Sequence, residues 1–487
     1  MTNLTEQQKV QSLYNLIGER GLYVSSNFDV FTQAPEEVTL AFGAGYKIPL
    51  AQVGSKAYTS PLLFATLTAL LHHGTMLITG APGIGKTTGA EFAGHFFTNT
   101  PLDEILAAEI QGHPQLTEEK MVASFDLGKL VTTGEKIVNP SKFLTCPVKI
   151  FDEGNRTPPD AVSILMRVVD DGKAVYGGQL LMANPGPLFV TANYADEGTF
   201  RLTPPFLDRF DVAVMVTSPQ SWDLRKIRER GDEKLNGGLN QLLEIPKGLK
   251  LDTDKIRKEI KSLSPEREKD IDIVGSFADF LYASLRFSEA ASHNLARATK
   301  GNAWQVNQDQ ATSGHFTDSS FTYTIDELSV RTAKALQRYA RAYAWFNGKS
   351  KVELTDLKTV APYLLWHKLQ PTTKALAEDQ LYANDRIAFV QNLIRKVETE
   401  YTELVGSEEA KIYGAALEML RTGKMMVKSK TSGSKEEKIL THGELRTVTK
   451  NALLKLGRID KPYAIMLASH VAAEYNCGVN EGRWSNP

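Results

Sequence analysis

The sequence predicts an α/β fold, with a parallel sheet covered by helices on both faces and a mostly helical region after it. Three observations carry this. Short apolar runs at 75–79, 148–152, 187–193 and 211–216 read as buried strands. Segments of helical spacing lie between them, and a glycine-rich loop follows the first run. From residue 218 onward the pattern becomes helical and more charged.

Residues 4–20 place Val10, Leu13, Leu16 and Ile17 at helical spacing, which predicts a first helix. A β-leaning, turn-punctuated stretch follows. The apolar run 61–71 is short of the roughly 20 residues a membrane-spanning helix needs, so it reads as a buried helix. The run 75–79 then enters the loop at Gly80, and a helix follows Lys86. A helix over 158–171 separates the second and third strands. Residues 291–320, rich in Asn, Gln, Ser, Thr and His, read as an insertion. Helical patterns return over 327–369, 387–421 and 440–474, and residues 424–438 read as a basic Ser/Gly-containing linker.

At 487 residues the chain has room for two to four domains of about 100–200 residues. Its net charge of −1 supplies no global field toward nucleic acid or an acidic membrane. Two cysteines, Cys146 and Cys477, are too few for a disulfide framework and fit a reducing compartment. The polar N-terminus has no signal-like apolar region, which favours the cytoplasm. His72 and His73 lack the Cys or carboxylate spacing of a metal site, and Trp345 and Trp366 sit at core-like positions. No GxSxG appears.

The informative chemistry begins at Gly80-Ala81-Pro82-Gly83-Ile84-Gly85-Lys86-Thr87-Thr88. Glycines let backbone N–H groups approach phosphate oxygens, and Lys86 places a cation on the β- and γ-phosphates. Thr87 offers a hydroxyl to Mg²⁺, and the following helix points its positive end at the same anion. A glycine-rich turn that binds nothing is the plainer reading. The strand before the loop and the helix after it argue against it. The run ending Asp152-Glu153 supplies a carboxylate to hold Mg²⁺ through water and a base for the attacking water. Alone, such a pair more often marks a solvated strand end. A water-activating glutamate beside the aspartate favours ATP hydrolysis over transfer to a small substrate.

The ordered motifs over about 55–370 resemble AAA+ ATPases, specifically the MoxR family of the helix-2-insert clade. Asp152-Glu153-Gly154-Asn155-Arg156-Thr157-Pro158-Pro159 is similar to that family's Walker B signature, although Gly154 stands where an apolar residue is usual. The resemblance implies that Asn193 is the sensor 1 residue orienting water. It implies that Arg209, in Leu207-Asp208-Arg209-Phe210, is a finger on ATP bound by a neighbouring subunit. It also makes Arg331 the sensor 2 arginine that reaches the γ-phosphate. A plain salt bridge for Arg209 and a surface cation for Arg331 are the competing readings. Residues 124–146, with a Thr-Thr-Gly turn between short β-leaning runs, and 172–183, a hairpin around Gly177-Gly178, fall where the family has its helix-2 insert and pre-sensor 1 hairpin.

The expected organisation is an N-terminal segment, 1–54, then an AAA+ core, 55–217. A helical lid, 218–370, and a C-terminal helical region, 371–487, follow. The expected function is Mg-ATP hydrolysis in a ring, a hexamer on the resemblance, that remodels a protein client or a partner bearing a von Willebrand factor A domain. A nucleic-acid translocase and a nucleotide-gated assembly module are the alternatives.

Overall fold

The computed structural model describes residues 4–20, 37–39, 47–49, 61–71, 73–193, 199–200, 202–216, 242–268, 271–286, 323–324, 328–428, 435–459 and 462–484. The polar stretch 291–320 and His72 lie outside them. The chain divides into two compact units. One comprises Met1–Val274 with Val330–His367, the other Gly275–Ser329 with Lys368–Pro487.

The first unit opens with α1 (Glu6–Glu19), started by a reciprocal Thr5–Gln8 capping box and burying Val10, Leu13 and Ile17 as the spacing predicts. Helix α2 (Pro61–Leu70) has no polar face, and all ten of its residues are buried. Its two threonines satisfy their hydroxyls on carbonyls one turn back, at Leu62 and Phe64. The sheet strands are β1 (Thr75–Gly80), β2 (Ile110–Gln111), β3 (Lys149–Asp152), β4 (Leu188–Ala192) and β5 (Val212–Val216). Helices α3 (Lys86–Thr98), α4 (Leu102–Ala108) and α5 (Pro159–Asp171) connect them.

The five strands run in the order β5-β1-β4-β3-β2, and every neighbouring pair is parallel. The predicted α/β architecture is therefore present. Every residue of β4 is buried, which explains its continuous apolar run in place of alternation. The edge strand β2 was not expected, because two residues carry no periodicity. It is held by pairing Ile110 with Phe151 and Gln111 with Asp152.

Two segments project from this core. The β-leaning runs expected in residues 124–146 give strands Ala123–Phe125 and Val138–Pro140, which pair, but a helix, Leu127–Thr133, lies between them where a turn was expected. Gly134 ends that helix in the left-handed region, so Thr-Thr-Gly is a helix terminus. The expected hairpin over 172–183 forms from Lys173–Tyr176 and Gln179–Met182. The two projections touch: the rings of Phe125 and Tyr176 lie 5.1 Å apart, and Tyr176 donates to Glu119 at 2.9 Å.

Helices α6 (Val330–Phe346) and α7 (Leu354–Leu365) complete the unit. Asp211, 2% exposed, fastens α6 to the sheet. It accepts from Arg338 at 2.8 Å and from the Thr75 amide at 3.2 Å. Trp345 is buried, and Trp366 donates its indole N–H to the Ala213 carbonyl at 2.7 Å.

The second unit is mostly helical, with Arg386–Val405, Glu408–Thr422, His442–Leu456 and Pro462–Asn480 as its longer helices besides Ile273–Arg286. The stretch expected as a linker carries a hairpin, Lys424–Lys428 paired with Lys435–Ile439. Among the described residues no helix is long and apolar enough to cross a membrane.

Candidate active site

Parallel register brings the strand ends together. Ala192 lies opposite Thr79 and Val190 opposite Phe151, so Gly80, Asp152 and Asn193 emerge at one edge of the sheet. Residues Ala81 to Gly85 form the loop there, and Lys86, Thr87 and Thr88 open α3. Gly80 has φ +154°, and a Cβ on it would sit 2.5 Å from the Val216 carbonyl oxygen, so only glycine fits.

Lys86 is buried and donates to the carbonyls of Gly80 at 3.1 Å and Ala81 at 2.6 Å. It also donates to Asn193 Oδ1 at 2.7 Å. Burial pushes its ammonium below the ordinary lysine value, while the charges of Asp152 and Glu153 act in the opposite direction. Asn193 Nδ2 in turn donates to Glu153 Oε1 at 2.9 Å. The amide thus points its oxygen at the cation and its nitrogen at the anion, the one orientation that satisfies both.

Thr87 donates its hydroxyl to Asp152 Oδ1 at 2.6 Å. Thr191, one strand over, donates to the same oxygen and accepts the Glu153 amide at 2.9 Å. A hydroxyl and a carboxylate side by side are hard oxygen donors of the kind Mg²⁺ takes when phosphates complete its shell. Among the described residues no group of three His, Cys, Asp or Glu forms an all-protein metal cage.

Glu153 occupies the left-handed region at φ 50°, ψ 42°, rare for a residue with a Cβ. Its surroundings hold it there. Gly112 lies against its carbonyl so closely that a Cβ would come within 2.3 Å. Gly154 likewise faces Val190, where a Cβ would come within 2.6 Å of Cγ1, which accounts for glycine where the resembled family has an apolar side chain. Two neighbours carry weight that the motif reading gave them no role for. Asn155 braces Asn193 from both sides of its own amide, donating to Asn193 O at 3.0 Å and accepting from Asn193 N at 3.3 Å. Arg156 lies 3.5 Å from Glu153 Oε2. The adjacency of Asn155 and Arg156 to Asp152-Glu153 in sequence was the available signal.

The two arginines are elsewhere. Thr75, at the start of β1, donates its hydroxyl to the Arg209 carbonyl at 2.9 Å. Gly80 lies five residues farther along, about 16 Å at strand rise, more than an arginine side chain spans. Arg209 Nε pairs with Asp170 Oδ2 at 3.1 Å rather than with the adjacent Asp208. Arg331 NH2 pairs with Asp170 Oδ1 at 3.2 Å. Asp170 ends α5, which runs back from the Glu153 edge for about 18 Å. Lys86, Thr87, Asp152, Glu153 and Asn193 are thus brought together at one edge, and Arg209 and Arg331 at the opposite one.

Residues 75–210 match the AAA domain of the dynein-related subfamily, and residues 327–387 match an AAA lid domain. The chain therefore carries an AAA+ ATPase domain with its lid, and it is an ATP-hydrolysing enzyme. Among relatives, it is similar to YeaC of Bacillus subtilis (strain 168), itself uncharacterised. Identity is 23% over 315 residues, covering 62% of this chain and 80% of YeaC. A crystal structure of a proposed ATPase from Cytophaga hutchinsonii shares the fold at TM-score 0.52 and 20% identity, over 80% of this chain and 96% of that one. More loosely, a full-length MCM homolog from Methanopyrus kandleri aligns at TM-score 0.35 and 14% identity, over 74% of this chain and 62% of its own.

Proposed function

We propose that this ATPase works as a MoxR-like cytoplasmic ring, hexameric in our reading, in which each nucleotide site is shared between two subunits and drives remodelling of a protein partner. The observation that carries the reading is the separation of the two clusters: Arg209 lies a full strand length from Lys86 in its own chain. Each subunit then offers the loop, Asp152, Glu153 and Asn193 to one ATP, and Arg209 with Arg331 to its neighbour's.

In this scheme the loop amides and Lys86 bind the β- and γ-phosphates. Asn193 orients water, and Glu153 accepts its proton. Thr87 and Asp152 would hold Mg²⁺, which neutralises charge on the phosphates when bound. Arg209 stabilises the charge that develops on the transferred phosphoryl group, an effect worth about 10³–10⁵ in rate for such fingers. The insert and the hairpin, in contact through Phe125 and Tyr176, transmit nucleotide state to a client, with a von Willebrand factor A domain protein as one candidate partner.

Arg209→Ala should bind ATP normally yet lose turnover, and wild-type activity per subunit should rise with protein concentration as subunits assemble. Concentration-independent activity in a monomeric protein would sink the shared site. A pull-down with Glu153→Gln identifies the client. Stimulation of turnover by DNA with steep salt dependence would favour a translocase instead.

A further inference from the structure

We infer that Asp170 is a positioning residue, holding Arg209 and Arg331 together as one unit aimed at the neighbouring subunit's γ-phosphate. The inference rests on the shared-site reading above and adds a residue to it. The carboxylate divides its two oxygens, Oδ2 to Arg209 Nε at 3.1 Å and Oδ1 to Arg331 NH2 at 3.2 Å. One anion therefore sits between two cations that would otherwise repel each other.

The backbones are fixed by other contacts. Thr75 holds the Arg209 carbonyl, Thr332 donates to Asp208 at 3.4 Å, and Arg338 holds α6 on Asp211. What those anchors leave open is the direction of the guanidinium groups, and Asp170 sets it. Stability does not explain the arrangement. With Asp170 27% exposed and the arginines 35% and 38% exposed, such pairs contribute at most about 1 kcal/mol.

The donor count suits an anion as well. Each guanidinium has about five N–H donors. Among the described residues Arg209 uses Nε on Asp170 and NH1 on the Pro205 carbonyl at 3.5 Å, and Arg331 uses NH2 on Asp170. Asp171, the next residue, is exposed and makes neither contact, which provides a matched control.

The test uses the full-length chain. Asp170→Asn should lower kcat roughly 10–100-fold, the scale of a misaimed catalytic group, with ATP affinity changed less than about twofold. Asp170→Glu should retain more activity than Asp170→Asn, and Asp171→Asn should match wild type. Mixed one to one with Glu153→Gln, Asp170→Asn should regain turnover, because roughly one junction in four then joins two intact halves. Wild-type turnover in Asp170→Asn overturns the inference. So does a mixture that stays inactive while Arg209→Ala with Glu153→Gln recovers. If that second mixture also fails, the shared site itself falls.

Discussion

Asn193 donates its side-chain N–H to Glu153 Oε1 at 2.9 Å while its carbonyl oxygen receives Lys86. One amide thereby spans the distance between the Lys86 ammonium and the Glu153 carboxylate. Glu153→Gln keeps the size of the side chain and removes its basicity. We expect it to bind ATP and lose about 10²–10⁴ in turnover, read by phosphate release against binding of a fluorescent nucleotide. Asn193→Ala should lower turnover with little change in affinity; a loss confined to affinity would mean that the amide serves Lys86 alone.

The close approach at Gly154 gives a packing prediction. Gly154→Ala places a methyl 2.6 Å from Val190 Cγ1 in a fully packed strand, which should cost about 1–3 kcal/mol. Val190→Ala opens space at the same point. The double variant should therefore be more stable than the sum of the single losses, measured by denaturant unfolding in a double-mutant cycle. Strict additivity would show that the contact relaxes without cost.

Glu109 supplies a pH dependence. Burial, then the charges of Glu91 and Asp152 and a hydrogen bond with Glu91, push its carboxyl up to about 7. The folded protein therefore keeps this proton over a range in which the unfolded chain releases it. Its contribution to stability is complete below pH 4.5 and declines as pH rises to about 7. Glu109→Gln should raise Tm relative to wild type at pH 8 and do so far less at pH 4.5. An equal difference at both values would remove titration as the cause.

The projections offer a surface prediction. Val131 on the insert helix is 83% exposed and Leu180 on the hairpin 61% exposed. Changing both to Ser should alter stability by less than about 0.5 kcal/mol each and leave basal turnover intact. Capture of a client by the Glu153→Gln form should weaken. Undiminished capture would place the client elsewhere.

Much of the candidate site was legible because each part is local: an apolar run, a glycine loop, a helix, and carboxylates ending a strand. Gly80 to Thr88, Asp152, Glu153 and Asn193 converge as their order suggests. What resisted reading depends on distant partners. Ile110 and Gln111 form a strand only because Phe151 and Asp152 receive them. Asp170 looks like any acid ending a helix until Arg209 and Arg331 arrive from 39 and 161 residues away. The hairpin at 424–439 hid behind charged side chains, since nothing in Lys435–Ile439 alternates apolar with polar. Residues 124–146 misled because threonine and valine favour strands, whereas Asp126 caps the amide of Lys129 and starts a helix.

The buried Asp211 has a further implication for synthesis on the ribosome. Its guanidinium partner, Arg338, lies 127 residues later in the chain. Until that residue emerges, Asp211, 2% exposed in the finished protein, lacks that partner; with Arg338 37% exposed, the missing pair is worth about 1 kcal/mol. The fastening of α6 to the sheet is therefore completed only after the lid helix has been made. Fragments ending before Arg338 should yield to proteases sooner than the full chain, however complete their nucleotide motifs.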